Sequence, residues 1–399
     1  MAQKVRLGII GIGNMGYGHL TNYLRGALPE IEVTAICDVR EDRLERGRAA
    51  CADPASVGGT VAGYDVKCFS DAAELCRSGA VDAVLVATPH YSHPSLVIDA
   101  LENGLHVLCE KPAGVYTKQV REMNECADRH PELTFAIDYN QRTNPTYRKI
   151  HDIVRSGKYG ELRRFNWYIT SWFRTQAYYD SGDWRATWAG EGGGVLLNQD
   201  PHQLDLWQWI TGMPSKIRAV CREGQWHDIE VEDDVVIYAE YANGANGVFV
   251  STTGDCPGNN RLEINLDRAR IVSVHGDIHV YELEHPTAQF IKESKEGFAK
   301  NDEHEVEVEL QGENDQHVGV CNAFAANILR GEPLIADGRE GINGLTISNA
   351  AFLSSWTGSE IVLPVDEDLF YEKLQGKIAG SRYKKNVREQ VSDDMSSTY

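Results

Sequence analysis

The chain opens on a short apolar run, Val5–Ile10, that passes straight into Gly11-Ile-Gly-Asn-Met-Gly16. No other feature restricts the fold as much. Three glycines at this spacing, behind a strand and ahead of a helix, each have a separate physical task. Gly11 makes the tight turn, Gly13 lets the backbone approach a pyrophosphate, and Gly16 lets helix and strand pack closely. The N–H groups of the helix start, around Asn14 and Met15, would then hold the anion. A glycine-rich turn can also be purely structural. Here, however, Asp38 closes the next apolar run, Val33–Cys37, where a ribose 2′-hydroxyl would lie. The combination points to a dinucleotide. The Asp38 carboxylate would repel a 2′-phosphate, so NAD is expected, while Arg40 and Arg43 close by keep NADP open.

The same rhythm continues through the first third. The apolar runs Ala83–Ala87, His106–Cys109 and Thr134–Ile137 alternate with helical patterns at Glu41–Ala50, Asp71–Arg77, Pro94–Asn103 and Thr117–Arg129. Asp71 and Thr117 are placed as N-caps, and Gly79 and Gly104 as stops. Repeated strand–helix–strand units build a doubly wound parallel sheet. Beyond about Asp138 the pattern changes. Helices near Thr146–Ser156 and Gly193–Ile210 flank a strand-like run at Leu162–Trp172. Lys216 to Glu309 then alternates in β fashion, with turns at Asn243-Gly244, Pro257-Gly258 and His275-Gly276. Helices at Val318–Arg330 and Arg339–Thr357 and a last strand at Val362–Val365 complete the pattern. The expected architecture is α/β. A Rossmann doubly wound parallel sheet spans 1–140, and an α+β domain with a large, mostly antiparallel open sheet spans 141–365. An extension, 366–399, ends in a charged, Ser-rich flexible arm.

Composition narrows the function. Of 399 residues 42% are hydrophobic, enough for a large core, and the net charge of −20 speaks against nucleic acid. The nine cysteines are odd in number, with no C-x-x-C pair, so a reduced, cytoplasmic protein is expected. The N-terminus carries no basic-then-apolar leader, and no apolar run nears the roughly 20 residues of a membrane span. The histidines are scattered, so no metal site is expected, and no G-x-S-x-G nucleophile motif occurs.

Two segments lie at the carboxyl ends of strands, where open α/β sheets bind ligands. One is Ala87-Thr-Pro-His90 with His93-Pro94, and the other Glu110-Lys111-Pro112. Thr88, Pro89, His93, Glu110 and Lys111 join Gly11, Gly13, Asn14, Met15, Gly16 and Asp38 as expected cofactor contacts. At helical spacing, Asn198, His202 and Asp205 share one polar stripe in an apolar, Trp-rich helix. A histidine beside an orienting carboxylate suits a general base, although a buried structural histidine would look the same. Lys111, held by Pro112 near a cationic nicotinamide, would have its pKa lowered; the alternative is a surface ammonium. Four of the eight tryptophans fall between Trp167 and Trp188, interleaved with polar residues. This stretch suits either a core or interface, or a wall for sugar C–H faces and hydroxyls. Trp184, Arg185, Tyr178 and Tyr179 are the substrate candidates.

The glycine turn, the Ala-Thr-Pro loop, the Glu-Lys-Pro tripeptide and GGGVLLNQDPHQLDLWQW at Gly192–Trp209 resemble the glucose–fructose oxidoreductase/inositol dehydrogenase (Gfo/Idh/MocA) family, as does GEPL at Gly331–Leu334. The resemblance runs from Val5 to about Val365. It implies a Rossmann domain followed by a domain whose open sheet joins copies into a homodimer or homotetramer. It also implies Lys111 between nicotinamide and substrate, and His202 as acid/base. Many relatives have an aspartate four residues before that histidine. Here it is Asn198, which cannot take a proton, so a relay through that carboxylate is in doubt. The implied reaction moves a hydride between NAD(P) and a secondary alcohol of a sugar, polyol or glycoside. His202, assisted by Lys111, would take the hydroxyl proton while Asn198 anchors the substrate. Two alternatives stay open: glycoside cleavage with bound NAD as transient oxidant, and a non-catalytic NAD-binding sensor.

Overall fold

The computed structural model describes residues 3–381 and 387. Six short strands form the first sheet: β1 (Val5–Ile10), β2 (Ile31–Cys37), β3 (Lys67–Phe69), β4 (Ala83–Val86), β5 (His106–Cys109) and β6 (Phe135–Ile137). All pair in parallel, in the order β3-β2-β1-β4-β5-β6. Helices α1 (Asn14–Leu24), α2 (Glu41–Ala52), α3 (Ala72–Arg77), α4 (His93–Glu102) and α5 (Thr117–Arg129) make the crossovers. Val, Ile and Leu on both strand faces are buried, as a sheet covered on both sides requires. The strand order reverses between β1 and β4, which opens the binding crevice at their carboxyl ends.

The second domain begins with α6 (Pro145–Arg155) and β7 (Leu162–Ile169), followed by α7 (Gln176–Tyr179), α8 (Val195–Asn198) and α9 (Pro201–Thr211). Strands β8 (Lys216–Glu223), β9 (Glu232–Glu240), β10 (Asn246–Thr252), β11 (Asn260–Leu266), β12 (Ala269–Val274) and β13 (Asp277–Leu283) follow. The order then runs α10 (Thr287–Glu293), β14 (Glu303–Val306), α11 (Gln316–Arg330), α12 (Gly341–Thr357), β15 (Ile361–Val362) and α13 (Glu367–Gly380). Nine strands form one sheet, β14-β13-β12-β11-β7-β10-β9-β8-β15, antiparallel except where β10 meets β7. One face carries the helices. Trp207 of α9 stacks between Phe165 of β7 and Phe249 of β10, with ring centroids 5.0 and 5.6 Å away. Its indole N–H donates to the Tyr241 hydroxyl at 2.6 Å. That anchoring fixes α9 on the sheet.

The α/β architecture and both sheets agree with the sequence reading, with local exceptions. Asp71 caps α3, accepting from the N–H groups of Ala73 and Glu74. Thr117 caps nothing: Tyr116 is at the cap position of α5, and the Thr117 N–H donates to Asn349. The helix expected over Gly193–Ile210 is two, because Pro201 lacks the N–H that would continue the first. Asn198 and His202 therefore lie on different helices, and the expected polar stripe is broken. The apolar face of α11 (Val320, Cys321, Phe324, Ala325) packs with β1, β2 and α1, so this late helix completes the core of the first domain. All nine cysteines are free. No helix among the described residues is long and apolar enough to cross a membrane. The terminal arm expected over Gly380–Tyr399 falls outside the described residues, apart from Gly380, which ends α13, Ser381 and Val387.

Candidate active site

The glycine turn has the geometry the sequence implied. Gly11 has φ +93°, and a Cβ there would come 2.6 Å from the Ala87 carbonyl oxygen. A Cβ on Gly16 would come 1.8 Å from the Gly11 oxygen. Neither position can carry a side chain. At Gly13 the nearest atom, Arg43 Nη1, is 3.7 Å away, so its open side faces the crevice. Gly13 is also the N-cap of α1 and supplies no side-chain cap, which leaves the helix start at Asn14 and Met15 for an anion. Asp38, 5% exposed, accepts from the Ile12 N–H at 2.8 Å and the Arg40 N–H at 3.0 Å, tying the glycine loop to the end of β2. These residues fit a dinucleotide: two glycines wall the turn, the third leaves room for a pyrophosphate, and a carboxylate waits at the ribose end.

Thr88 and Pro89 line the loop after β4. His93 is turned inward and buried, with Nε2 2.7 Å from the Thr88 carbonyl oxygen and Nδ1 2.8 Å from that of Pro112. It ties the two active-site loops together and has no ring nitrogen left for a cofactor. Glu110 likewise turns away from the crevice, toward His19 at 2.7 Å and its neighbour's backbone N–H at 3.2 Å.

Under Lys111 the fold gathers four side chains that the sequence did not connect. His19 (α1), Glu110 (after β5), Asp138 (after β6) and His317 (α11) place their ligand-type atoms within 4.8 Å of one another. They pair as imidazole and carboxylate, His19–Glu110 at 2.7 Å and His317–Asp138 at 2.8 Å. Burial works against the Glu110 charge, yet the His19 hydrogen bond and the charges of His317 and Lys111 outweigh it and hold the carboxyl well below its usual range. Burial also opposes the His317 charge, but Asp138 and Glu110 raise its pKa nonetheless. Such mutual pairing is how buried charges are kept. The expectation of no metal site was made from spacing, which could not bring these residues together.

Lys111, just past the carboxyl end of β5, lies near enough to His202 for its charge to act on the imidazole. Nζ of Lys111 donates to the backbone carbonyl of Asn198, at the end of α8, at 2.9 Å. Burial lowers its pKa, with nearby Arg185 adding to the effect and Glu110 opposing it. His202 is 1% exposed, and among the described residues neither ring nitrogen finds a hydrogen-bond partner. Burial first, then the Lys111 charge, push its pKa well below the usual histidine value. Asp205, expected to orient it, does not. Its carboxylate is held by Arg142 Nε at 2.8 Å and Nη2 at 2.6 Å.

Of the substrate candidates, Tyr178, Trp184 and Arg185 come together beside Asn198. The Arg185 guanidinium lies 4.6 Å from both ring centroids and donates to the Tyr178 hydroxyl at 2.8 Å. The Tyr178 hydroxyl donates to Asn198 Oδ1 at 3.1 Å. Tyr179 points the other way: it is 2% exposed, and its hydroxyl bonds Thr253 at 2.7 Å. It is a core residue.

Two acids escaped the sequence reading. Glu191 is buried against Asn198. Asp200, fully buried beside Ser251 and Trp172, lies close to both without a bond of proper geometry, and burial pushes its pKa up to about 8. The only available signal was an acid adjoining the glycine run or the proline of α9. A group that is protonated when folded and ionised when unfolded loses stability as pH rises toward its folded pKa. Asp200→Asn is therefore expected to gain thermal stability over the parent as pH rises from 6 to 9, measured by unfolding at a series of pH values. A constant difference across that range would contradict it.

Residues 5–138 match the family model described as oxidoreductase family, NAD-binding Rossmann fold, and residues 147–272 match the GFO/IDH/MocA C-terminal domain. The rhizopine catabolism protein MocA of Rhizobium meliloti is 29% identical over 249 residues, 61% of this chain and 70% of that one. Myo-inositol 2-dehydrogenase of Thermotoga maritima is 25% identical over 354 residues, 87% of this chain and 95% of its own. Among solved structures, the WlbA dehydrogenase from Bordetella pertussis in complex with NADH and UDP-GlcNAcA superposes with a TM-score of 0.72. It is 24% identical and covers 91% of this chain and all of its own, a likeness of fold.

Proposed function

The chain belongs to the GFO/IDH/MocA family of NAD-binding oxidoreductases, and from that premise we propose that it oxidises a secondary alcohol of a sugar or polyol. The observation that carries this reading is the placing of half-buried Lys111, its Nζ fixed on the Asn198 carbonyl, near buried His202, whose ring nitrogens have no hydrogen-bond partner among the described residues. NAD bound there supplies the hydride acceptor. The chain's own residues handle the proton. Two like charges this close disfavour each other, so the pair holds one proton at most near neutral pH. The hydroxyl proton passes to neutral Lys111, fixed by the Asn198 carbonyl, as the carbonyl forms, and neutral His202 holds the same oxygen through its unbonded ring N–H. Tyr178, Trp184 and Arg185 present aromatic faces and polar atoms to a polyhydroxylated substrate. The names of the relatives, an inositol dehydrogenase and an enzyme seen with a nucleotide sugar, point to the same class.

The same reading includes a homodimer or homotetramer formed on the free face of the nine-stranded sheet. There Tyr168, Val250, Val236 and Val220 stand in register across four strands, with Val220 53% and Tyr168 47% exposed. An apolar row of that kind on an open sheet face supports association. One experiment tests the whole reading: a panel of sugars, polyols and aryl glycosides with NAD and with NADP, following reduced cofactor and released aglycone, on enzyme weighed by light scattering. Accumulating NADH with a polyol is the expected result. Aglycone release without net NADH would replace it with glycoside cleavage, and tight NAD binding with no turnover would replace it with a sensor. A one-chain mass would remove the oligomer.

A further inference from the structure

The reaction proposed above uses no carboxylate, yet one is buried directly behind the substrate wall. Glu191 is 2% exposed, and both of its oxygens are engaged. One accepts from the side-chain amide of Asn198, the other from the backbone N–H of Ala186, and the Arg185 guanidinium lies 3.9 Å away. The two ends of an amide have almost the same shape and opposite hydrogen-bonding character. A carboxylate only accepts, so Glu191 selects the nitrogen end. Charge-assisted bonds of this kind are roughly twice as strong as neutral ones. With its nitrogen committed, Asn198 must turn Oδ1 toward the Tyr178 hydroxyl, 3.1 Å away. The backbone carbonyl of the same residue receives Lys111 Nζ at 2.9 Å. Glu191 thus sits at the root of a chain that reaches the proton-handling lysine on one side and the aromatic wall on the other.

We propose that Glu191 is the positioning carboxylate of this active site, orienting Asn198 and through it Lys111 and Tyr178. Its two oxygens are taken by Asn198 and the Ala186 N–H, so it acts through Asn198 rather than on the reacting groups. The inference rests on the redox reading of the Lys111 site, and its test separates the two.

The test is a cycle of Glu191→Gln, Asn198→Asp and the double variant. Asn198→Asp sets two carboxylates against each other, and such a pair must share a proton. The double variant restores one carboxylate facing one amide, with the partners exchanged. Glu191→Gln is expected to lose about 10–100-fold in kcat, the cost of a misplaced group, while KM and NADH affinity stay within about twofold. Asn198→Asp is expected to lose more and to show a new ionisation in its pH–rate profile. The double variant should regain about tenfold over Asn198→Asp and lose that ionisation. Thermal unfolding gives a readout independent of turnover. The shared proton is bound in the folded state, so Asn198→Asp should gain stability relative to the parent as pH falls from 8 to 6, and the double variant should not. Additive losses around the cycle, a Glu191→Gln enzyme at the parental rate, or an Asn198→Asp protein with the parent's pH dependence would each overturn the proposal. A parent that oxidises no alcohol would remove the redox reading alone. The thermal cycle would still decide the pairing, with coupling supporting it and additivity refuting it.

Discussion

Lys111→Ala is expected to fold, to bind NADH, and to lose about 10²–10⁴-fold in kcat/KM for the alcohol, the range by which a positioned acid or base accelerates proton transfer. Folding should survive because the ammonium is held in a site that disfavours its charge, its pKa lowered chiefly by burial. Its one hydrogen bond there goes to a backbone carbonyl. The pH dependence carries the sign of the argument. If neutral Lys111 is the working form, oxidation should speed up as pH rises and level off above its pKa, at a lower pH than an ordinary lysine would give. Lys111→Arg is the control, because a guanidinium keeps the charge and does not release a proton in proteins. Recovery of most of the activity by arginine would show that a fixed charge suffices and that Lys111 is no base. Stopped-flow measurement of NADH formation at saturating cofactor separates the chemical step from binding.

The Glu110 side chain beneath the lysine works against that lowering by attracting its charge. Glu110 can remain ionised in a fully buried place because His19 and His317 face it and Asp138 balances them. This network was not legible in the sequence, for a plain reason. His317 lies 179 residues beyond Asp138. It reaches that partner only because α11 returns to finish the core of the first domain. By contrast, the glycine turn was legible because each of its three constraints is local: a left-handed φ at Gly11, a backbone contact at Gly16, and a clear approach at Gly13. Asp71 was legible as a cap for the same reason, since a carboxylate two or three residues ahead of free N–H groups finds them by itself.

The failures are as specific. Helical spacing placed Asn198, His202 and Asp205 on one face, but that argument needs an unbroken helix, and Pro201 interrupts it. Tyr179 does not share the site of Tyr178, because adjacent residues in a helix point about 100° apart. One reaches Asn198 while the other bonds Thr253 in the core. The place of Asn198 itself raised a doubt that the structure recasts. The position carries no carboxylate, but its amide is bonded to one at residue 191. Three-residue β3 had no periodicity to betray it, and it pairs at the sheet edge through Ala35–Cys37 alone.

Asp205 provides the sharpest separation between a structural and a catalytic carboxylate. It is 1% exposed and held by two parallel bonds from the Nε–Nη2 edge of the Arg142 guanidinium, itself 3% exposed, with Gln208 donating at 3.0 Å. Arg142 also reaches Glu340 at 2.8 Å, so the ion pair joins the helix carrying His202 to the segment that leads into α12. Removing one member of a buried pair costs about 3–5 kcal/mol where the other is left wholly uncompensated. Glu340 still faces Arg142 once Asp205 is gone, so Asp205→Ala is expected to fall at the low end of that range, about 3 kcal/mol, read as a fall in the denaturant midpoint at an unchanged slope. Arg142→Met should lose less, since Asp205 keeps Gln208 and can take a proton where it lies. The double variant Arg142→Met/Asp205→Leu should recover most of the loss, because apolar groups of similar volume need no partner there. Catalysis gives the second half of the test. His202 makes no hydrogen bond to Asp205, so the folded fraction of Asp205→Ala should show the parental pH–rate profile. A stable Asp205→Ala enzyme with a collapsed kcat would instead return Asp205 to the role of orienting the histidine, and would mean that the ring turns toward it during turnover.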